Sequence, residues 1–128
     1  MEIALTLLEL TMVLILRLHD YITDKTDDSF YFCIGPTGTT SGLVSSYLNL
    51  SSGGSGWLQG ATNVVDGLWH LCVMTYDGTT FKIYVDGSLD GSQSNTGTIN
   101  TGISSVYFGY RSGGTVWYSN AVLDEVGI

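Results

Sequence analysis

Apolar and polar residues alternate along this chain in short runs that are separated by turn-forming sequences. The runs are rich in Val, Ile, Leu, Tyr, Phe, Trp and Thr, and the separators include TDKTDDS, GPTGTTSG, SSGGSG and RSGG. Short strands between Gly- and Asp-rich turns are typical of an all-β sandwich or barrel. The pattern predicts strands at residues 3–9, 10–18, 29–34, 43–50, 56–61, 68–76, 80–86, 105–110 and 114–127, the last of them broken near Ser119.

The first stretch, MEIALTLLELTMVLILRL, is almost wholly apolar, so periodicity does not separate strand from helix there. Leu5, Leu8 and Met12 would share one face of a helix, but every other segment is β, and strands are therefore predicted here too. Glu2 and Glu9 leave an apolar run shorter than the ~20 residues that span a bilayer. The stretch also lacks the basic start and the cleavage site of a secretory signal. We therefore predict no membrane span.

Residues 68–87, LWHLCVMTYDGTTFKIYVDG, contain two strands and two Asp-Gly turns. Alternation puts Trp69 and Leu71 on one face of the first strand and His70 and Cys72 on the other. Both faces are mainly apolar, which predicts a central strand covered on both sides, with Trp69 in the core. Asp and Gly tolerate the positive φ angles of tight turns, so the Asp-Gly pairs are expected at hairpin corners.

Composition narrows the set of partners. The chain has 128 residues, which suits one domain with a core, and a net charge of −8 with only four basic residues. Four basic residues cannot neutralise many phosphates, so binding to nucleic acid or to an anionic membrane surface is not expected. Neutral glycans, cations and other protein surfaces are the partners that this composition leaves.

Few residues suit catalysis or metal binding. Cys33 and Cys72 lie in apolar runs without a Cys-x-x-Cys or Cys/His cluster, so two buried thiols are predicted and a zinc site is not. A disulfide between strands is the alternative. His70 has no carboxylate at a plausible local spacing, and no Gly-x-Ser-x-Gly nucleophile motif is present. His70 is therefore interpreted as a hydrogen-bonding strand residue.

The order of several motifs resembles the laminin-G-like, or LamG-type, branch of the concanavalin A-like lectin/glucanase superfamily. The resemblance covers roughly residues 66–128 and rests on Trp69-His70, Tyr76-Asp77-Gly78, Tyr84-Val85-Asp86-Gly87 and Asp124-Glu125-Val126. It implies a single antiparallel jelly-roll β-sandwich over residues 1–128. The chain has Ile15 before Arg17 where the family usually has Trp, and the family's flanking strands are not evident. An incomplete sheet edge is therefore expected, completed by a neighbouring subunit in a homo-oligomer or larger assembly.

The acidic residues argue against an enzyme. Glucanases of the superfamily carry acidic groups on one face of a strand, at the close spacing that a retaining mechanism needs. Here the only adjacent carboxylates on an apolar strand are Asp124 and Glu125, which alternation sends to opposite faces. No cofactor is predicted with certainty. The resemblance implies Ca²⁺ as a candidate, with Asp124 as a ligand and Asp27 and Asp28 as substitutes for the family's usual partner.

Aromatic residues beside polar loops are the candidates for binding. Sugar sites pair an aromatic plate with nearby amide, carboxylate or guanidinium groups. The residues that fit this description are Trp57, Gln59, Tyr110, Arg111, Trp117 and Asn120.

The predicted function is a lectin-like, non-catalytic recognition or adhesion module. It would contact glycans or a protein partner in an extracellular setting, at a cell surface or on a virion surface. The alternative is a structural protein, a subunit of an extracellular filament or virus particle that assembles through its sheet edges.

Overall fold

The computed structural model describes residues 10–18, 30–35, 42–51, 56–100, 110–111, 117–118 and 121–127. These residues form ten strands and contain no helix, so no apolar helix of membrane-spanning length occurs among them. The strands are β1 (Leu10–Leu18), β2 (Phe30–Ile34), β3 (Leu43–Leu48), β4 (Gly56–Asn63), β5 (Trp69–Tyr76), β6 (Thr80–Val85), β7 (Ser88–Ser94), β8 (Tyr110–Arg111), β9 (Trp117–Tyr118) and β10 (Ala121–Gly127).

The strands form two principal antiparallel sheets. One sheet has five strands in the order β10-β1-β5-β6-β7, and the other has three in the order β2-β3-β4. A two-stranded ladder of β8 and β9 is separate. The all-β, antiparallel sandwich predicted from the strand pattern is confirmed.

Most of the predicted strands are present, and one strand is new. The polar sequence of β7, SLDGSQS, is not among the predicted strands, but it pairs with β6 as the last strand of the five-stranded sheet within the described residues. An edge strand needs few apolar side chains, because its backbone hydrogen bonds to one neighbour hold it in place. The strand predicted at residues 3–9 lies outside the described residues, as does all but the last residue of the one predicted at 105–110.

The core lies between the two sheets and is built by alternation. In β6, Phe81, Ile83 and Val85 are buried, while Lys82 and Tyr84 between them are half-buried. Burying an aliphatic or aromatic side chain of this size contributes about 1.5–3 kcal/mol to the free energy of folding. The apolar side chains of the core are Phe30, Phe32, Ile34, Val44, Leu48, Leu50, Leu58, Val64, Cys72, Met74, Tyr76, Phe81, Ile83, Val85 and Ile99.

The prediction of a central strand covered on both sides is half right. β5 is central, since it pairs with β1 on one side and β6 on the other. However, Trp69 is 48% exposed and Leu71 is 36% exposed, so the placement of Trp69 in the core is wrong. Alternation tells which residues share a face, but not whether a second layer covers that face.

The two Asp-Gly pairs are hairpin corners, as predicted. Asp77 accepts hydrogen bonds from the backbone N–H groups of Thr79 and Thr80 between β5 and β6. Asp86 and Gly87 join β6 to β7 with φ angles of 50° and 82°. Both φ values are positive at a two-residue connection, which is the conformation of the favoured hairpin turn.

The two sheets are joined edge to edge by Asp90. The β6–β7 register skips Asp90, a β-bulge that turns its carboxylate toward β4 of the other sheet. There it accepts hydrogen bonds from the N–H groups of Ala61 and Thr62, at 3.0 and 3.1 Å, and from the Thr62 hydroxyl at 2.6 Å. Those two N–H groups lie where the β3–β4 register is itself irregular. The carboxylate therefore binds backbone donors outside the regular ladder.

Cys33 and Cys72 are both buried thiols, which confirms the prediction. Burial, with smaller effects of the Asp86 and Asp90 charges, raises the pKa of the Cys72 thiol to about 12. A thiol reacts as its thiolate, so neutral buried thiols are inert.

We therefore expect a soluble maleimide or iodoacetamide to leave Cys72 unmodified in the folded protein at pH 8. Both thiols should react fully once the chain is unfolded in guanidinium chloride, as counted by intact mass. Peptide mapping that found Cys72 modified at a rate comparable to the denatured chain would contradict this expectation.

Candidate functional site

Three aromatic side chains lie side by side across the three-stranded sheet. Tyr31 of β2 pairs with Tyr47 of β3, and Tyr47 pairs with Trp57 of β4. Directly opposite residues in antiparallel strands project from the same face, so the three rings meet. We call these residues the aromatic triad.

The rings of the aromatic triad are close to one another. The Tyr47 centroid lies 5.3 Å from that of Tyr31 and 5.3 Å from that of Trp57, at tilts of 42° and 47°. The centroids of Tyr31 and Trp57 are 5.9 Å apart and their planes differ by only 6°. These separations fall in the range favoured by attractive aromatic pairs. The contacts hold the Trp57 ring in one orientation while leaving it accessible.

The aromatic triad faces outward. The residues that alternate with it, Phe30, Phe32 and Leu58, are buried in the core. Trp57 is 45% exposed, so much of one large apolar ring is open to a ligand. An indole held by neighbouring rings loses little conformational entropy when a ligand stacks on it.

Gln59 adds a hydrogen-bonding group beside the aromatic triad. It follows Trp57 by two residues on the same face of β4 and is exposed. Its Nε2 donates to the Ser45 hydroxyl at 3.2 Å. This bond fixes the amide while using only one of its two N–H donors and neither lone pair of its carbonyl oxygen. The side chain can therefore present an oriented donor and acceptor to a ligand.

His70 has two carboxylate partners. Its Nδ1 lies 2.8 Å from Asp86 and its Nε2 lies 3.0 Å from Asp66. The interpretation of His70 as a hydrogen-bonding strand residue is confirmed. The statement that no carboxylate stands at a plausible local spacing is wrong, since Asp66 is four residues upstream and Asp86 closes the next hairpin. The loop before β5 carries Asp66 and the β6–β7 turn carries Asp86. The fold brings both carboxylates to the His70 ring.

This arrangement favours the charged form of all three groups. Burial lowers the pKa of His70, but the hydrogen bonds to Asp86 and Asp66 outweigh it, and the pKa is raised overall. The pKa of Asp86 is lowered by His70 and then by the Leu71 N–H. The pKa of Asp66 is lowered by the Leu68 N–H and then by His70. The imidazole occupies the space between the carboxylates, so they do not line a cleft as a glycosidase pair does.

Comparison with known proteins identifies the family. A laminin-G model described as the concanavalin A-like lectin/glucanases superfamily matches residues 14–128, which is most of the chain. The chain belongs to the concanavalin A-like lectin/glucanases superfamily. The resemblance seen in the sequence motifs is thereby confirmed, and so is the jelly-roll sandwich.

A solved laminin structure supports the fold of this superfamily member. The chain is similar to domains LG4-5 of the mouse laminin alpha1 chain, with a TM-score of 0.62 and 20% identity, over 93% of this chain and 35% of that one. It also matches the binding domain of botulinum neurotoxin serotype C1, with a TM-score of 0.49 and 14% identity, over 92% of this chain and 27% of that one. The chain thus spans about a third of the laminin structure. No curated protein sequence matches it.

The second predicted aromatic cluster is described only in part. The backbone places Arg111 opposite Trp117 and Tyr110 opposite Tyr118 in the ladder of β8 and β9. Asn120 lies outside the described residues. The assignment of Tyr110, Arg111, Trp117 and Asn120 to a ligand site therefore stays a prediction. Trp57 and Gln59 are brought together, as their spacing in one strand suggested, and the structure adds Tyr31 and Tyr47.

The predicted calcium ligand Asp124 is exposed on β10. The β1–β10 register skips it, so it is the extra residue of a β-bulge. Ca²⁺ takes six to eight oxygen ligands, and within the described part of the chain no group of three acidic, His or Cys side chains could hold a metal. Asp27 and Asp28 lie outside that part. Calcium binding stays a prediction.

Proposed function

We propose that this protein is a non-catalytic recognition module that binds neutral glycans through the aromatic triad and Gln59. The observation that carries the proposal is the outward-facing stack of Tyr31, Tyr47 and Trp57, with an oriented amide beside it. We assign it to an extracellular setting, as an adhesion module on a cell or virion surface.

The chemistry of the face supports a sugar as ligand. Pyranose rings present C–H groups that pack on an aromatic face and hydroxyl groups that pair with amides. The outward-facing side chains of the aromatic triad and of Gln59 carry no charge. A phosphorylated, sulfated or sialylated ligand would need a basic partner here, so an uncharged saccharide fits best.

Four of the described carboxylates, all of them hydrogen-bonded, support a binding role without catalysis. Asp66 and Asp86 are bound to His70 and to backbone N–H groups. Asp90 is bound to β4, and Asp77 to its own turn. A glycosidase needs an acid and a nucleophile or base on opposite sides of an open cleft. Among the described residues these four carboxylates are occupied by structural hydrogen bonds.

The alternative function, a structural subunit assembled through sheet edges, stays a prediction. β10 is the last strand of the five-stranded sheet within the described residues, and an edge of that kind is a site for pairing with another chain. The aromatic triad supports a recognition module more specifically than an open sheet edge supports a structural subunit.

The Trp57→Ala variant should lose glycan binding. A glycan array first identifies neutral oligosaccharides that the wild-type protein retains, and calorimetry with the strongest of them then compares variants. Removal of the exposed indole is expected to weaken binding about tenfold or more, because stacking aromatics dominate such contacts. The Gln59→Ala variant should weaken binding by a smaller factor.

Trp69→Ala provides the matched control, since it removes an equally exposed indole from the other sheet. It should leave glycan affinity unchanged. A neutral oligosaccharide that bound wild type and Trp57→Ala equally would refute the aromatic triad as its site.

A further inference from the structure

Exposed apolar side chains gather at one end of the outer face of the five-stranded sheet. Trp69 is 48% exposed, and its neighbours in this group are similarly open to solvent. We call this group the Trp69 patch; it comprises Leu68, Trp69, Leu71, Leu89 and Val122. Contiguous exposed apolar surface on a folded protein marks an interaction site more often than a single exposed side chain does.

Strand register places four of these residues on one face, and Leu68 directly precedes Trp69 in the chain. Trp69 and Val122 both lie opposite Arg17 of β1, so they occupy one row across β5, β1 and β10. Leu71 stands two residues along β5 on the same face. Val73 of β5 pairs with Tyr84 of β6, and Tyr84 pairs with Leu89 of β7. Leu89 therefore projects from the same face as Val73. The patch thus crosses the sheet from β10 to β7 over strands about 4.8 Å apart.

The rim of the Trp69 patch is acidic. Asp66 and Asp86 flank the start of β5, and Asp124 lies two residues after Val122 in β10. All three carboxylates are exposed. His70 lies between Asp66 and Asp86, and Arg17 pairs with both Trp69 and Val122 in the strand register. Lys82 lies toward the other end of the sheet, opposite Thr75.

We propose that the Trp69 patch binds a protein partner whose contact surface is apolar at its centre and carries Lys and Arg around it. An apolar centre with charged flanks gives affinity through burial and selects partners by charge. A second copy of this chain would bring a like-charged acidic rim against this one, which disfavours self-association here. An anionic membrane is disfavoured for the same reason.

The patch lies on the opposite side of the sandwich from the aromatic triad, so both sites can be occupied at once. The inference does not rest on glycan binding. The module would then link a saccharide on one side to a basic protein surface on the other.

The test uses a fluorescent peptide of alternating Leu and Lys and a matched peptide with Glu in place of Lys. We expect the wild-type protein to bind the Lys peptide at least about tenfold more tightly, with affinity that falls as salt screens the rim. Trp69→Ser should weaken binding about tenfold, and Leu68→Ser, at an exposed position before β5, should weaken it less. Asp124→Asn should reduce the salt dependence and leave the apolar contact intact. Trp57→Ser should leave the affinity for the Lys peptide unchanged.

Two outcomes would overturn the proposal. The first is equal affinity of the two peptides, or an affinity for the Lys peptide that Trp69→Ser and Leu68→Ser leave unchanged. The second is a concentration-dependent dimer in sedimentation that Leu68→Ser dissociates, which would make a second copy the occupant. Circular dichroism of each variant verifies that it is folded.

Discussion

Replacing Gly60 with alanine is expected to destabilise the protein by about 2–4 kcal/mol, through a clash at the join between the two sheets. A Cβ at position 60 would overlap Oδ2 of Asp90 and lie 3.0 Å from its Cγ. Asp90 would have to swing away, and its hydrogen bonds to Ala61 and Thr62 would break. Hydrogen bonds to a charged group contribute about 1.5–3 kcal/mol each, and partial exposure reduces that value here. β4 and β7 would then lose the hydrogen bonds through which Asp90 joins them.

Chemical denaturation measures the effect as a lower midpoint with an unchanged slope. A double-mutant cycle isolates the cause, because Asp90→Ala removes the group that the new methyl would strike. In the Asp90→Ala background, Gly60→Ala should cost less than about 1 kcal/mol, which gives a coupling energy of more than 1 kcal/mol. Gly56→Ala in the same strand is the matched control, since its Cβ would meet only the ends of the flexible Gln93 and Asn95 side chains. Additive effects of Gly60→Ala and Asp90→Ala would refute the clash.

Replacing His70 with asparagine is expected to lower stability near pH 5.5 by about 1–2 kcal/mol and to remove a pH dependence above neutrality. The imidazolium donates to both Asp66 and Asp86, and hydrogen bonds of this type to charged groups are stabilising, here discounted for the exposure of the carboxylates. A neutral imidazole has one donor and one acceptor, so it can satisfy only one carboxylate at a time. Deprotonation therefore weakens the tie between the loop before β5 and the β6–β7 turn.

The sign of the pH dependence follows from the pKa shifts. The pKa of His70 is raised, so its contribution is complete below the unfolded value of about 6.5 and is lost as pH rises through the folded value. The pKa values of Asp66 and Asp86 are lowered, so their contribution is complete above about 4 and is lost at lower pH. Stability from this cluster should be greatest between about pH 4 and 6.5.

Urea denaturation from pH 5 to 7.5 tests this expectation. The upper limit stays below the pKa of about 8.5 at which cysteine thiols titrate in the unfolded chain. The wild-type free energy of unfolding should decrease across neutrality, and that of His70→Asn should not. Asp66→Asn should show an intermediate decrease, because Asp86 still holds the ring. An undiminished decrease in His70→Asn would assign the pH dependence to another group.

The sequence predicted the hairpin corners and most strands because those features are local. Asp77 and Asp86 sit in turns whose backbone angles only a few residue types tolerate, and Phe81, Ile83 and Val85 alternate with polar neighbours. Such patterns act over two to four residues, so they can be recognised without knowledge of the fold. The sequence missed β7 because an edge strand can be polar at most of its positions.

The candidate site could be predicted only where it lies within one strand. Trp57 and Gln59 share a face of β4 because they are two residues apart. Tyr31 and Tyr47 joined them only through cross-strand register, which the hydrophobic pattern of each strand does not specify. The prediction that Trp69 lies in the core failed for a related reason, since apolar alternation looks the same on a covered face and on an open one.

The amino-acid sequence alone therefore determined the all-β class, the superfamily, the hairpin corners, the burial of Cys33 and Cys72 and the structural role of His70. Each depends on local alternation, turn chemistry or a motif in fixed order. Tertiary structure alone decided which carboxylates hold His70, how Asp90 joins the sheets, and which aromatic rings meet. Those contacts link residues from separate strands, and their positions are set by sheet pairing and by the stacking of one layer on the other.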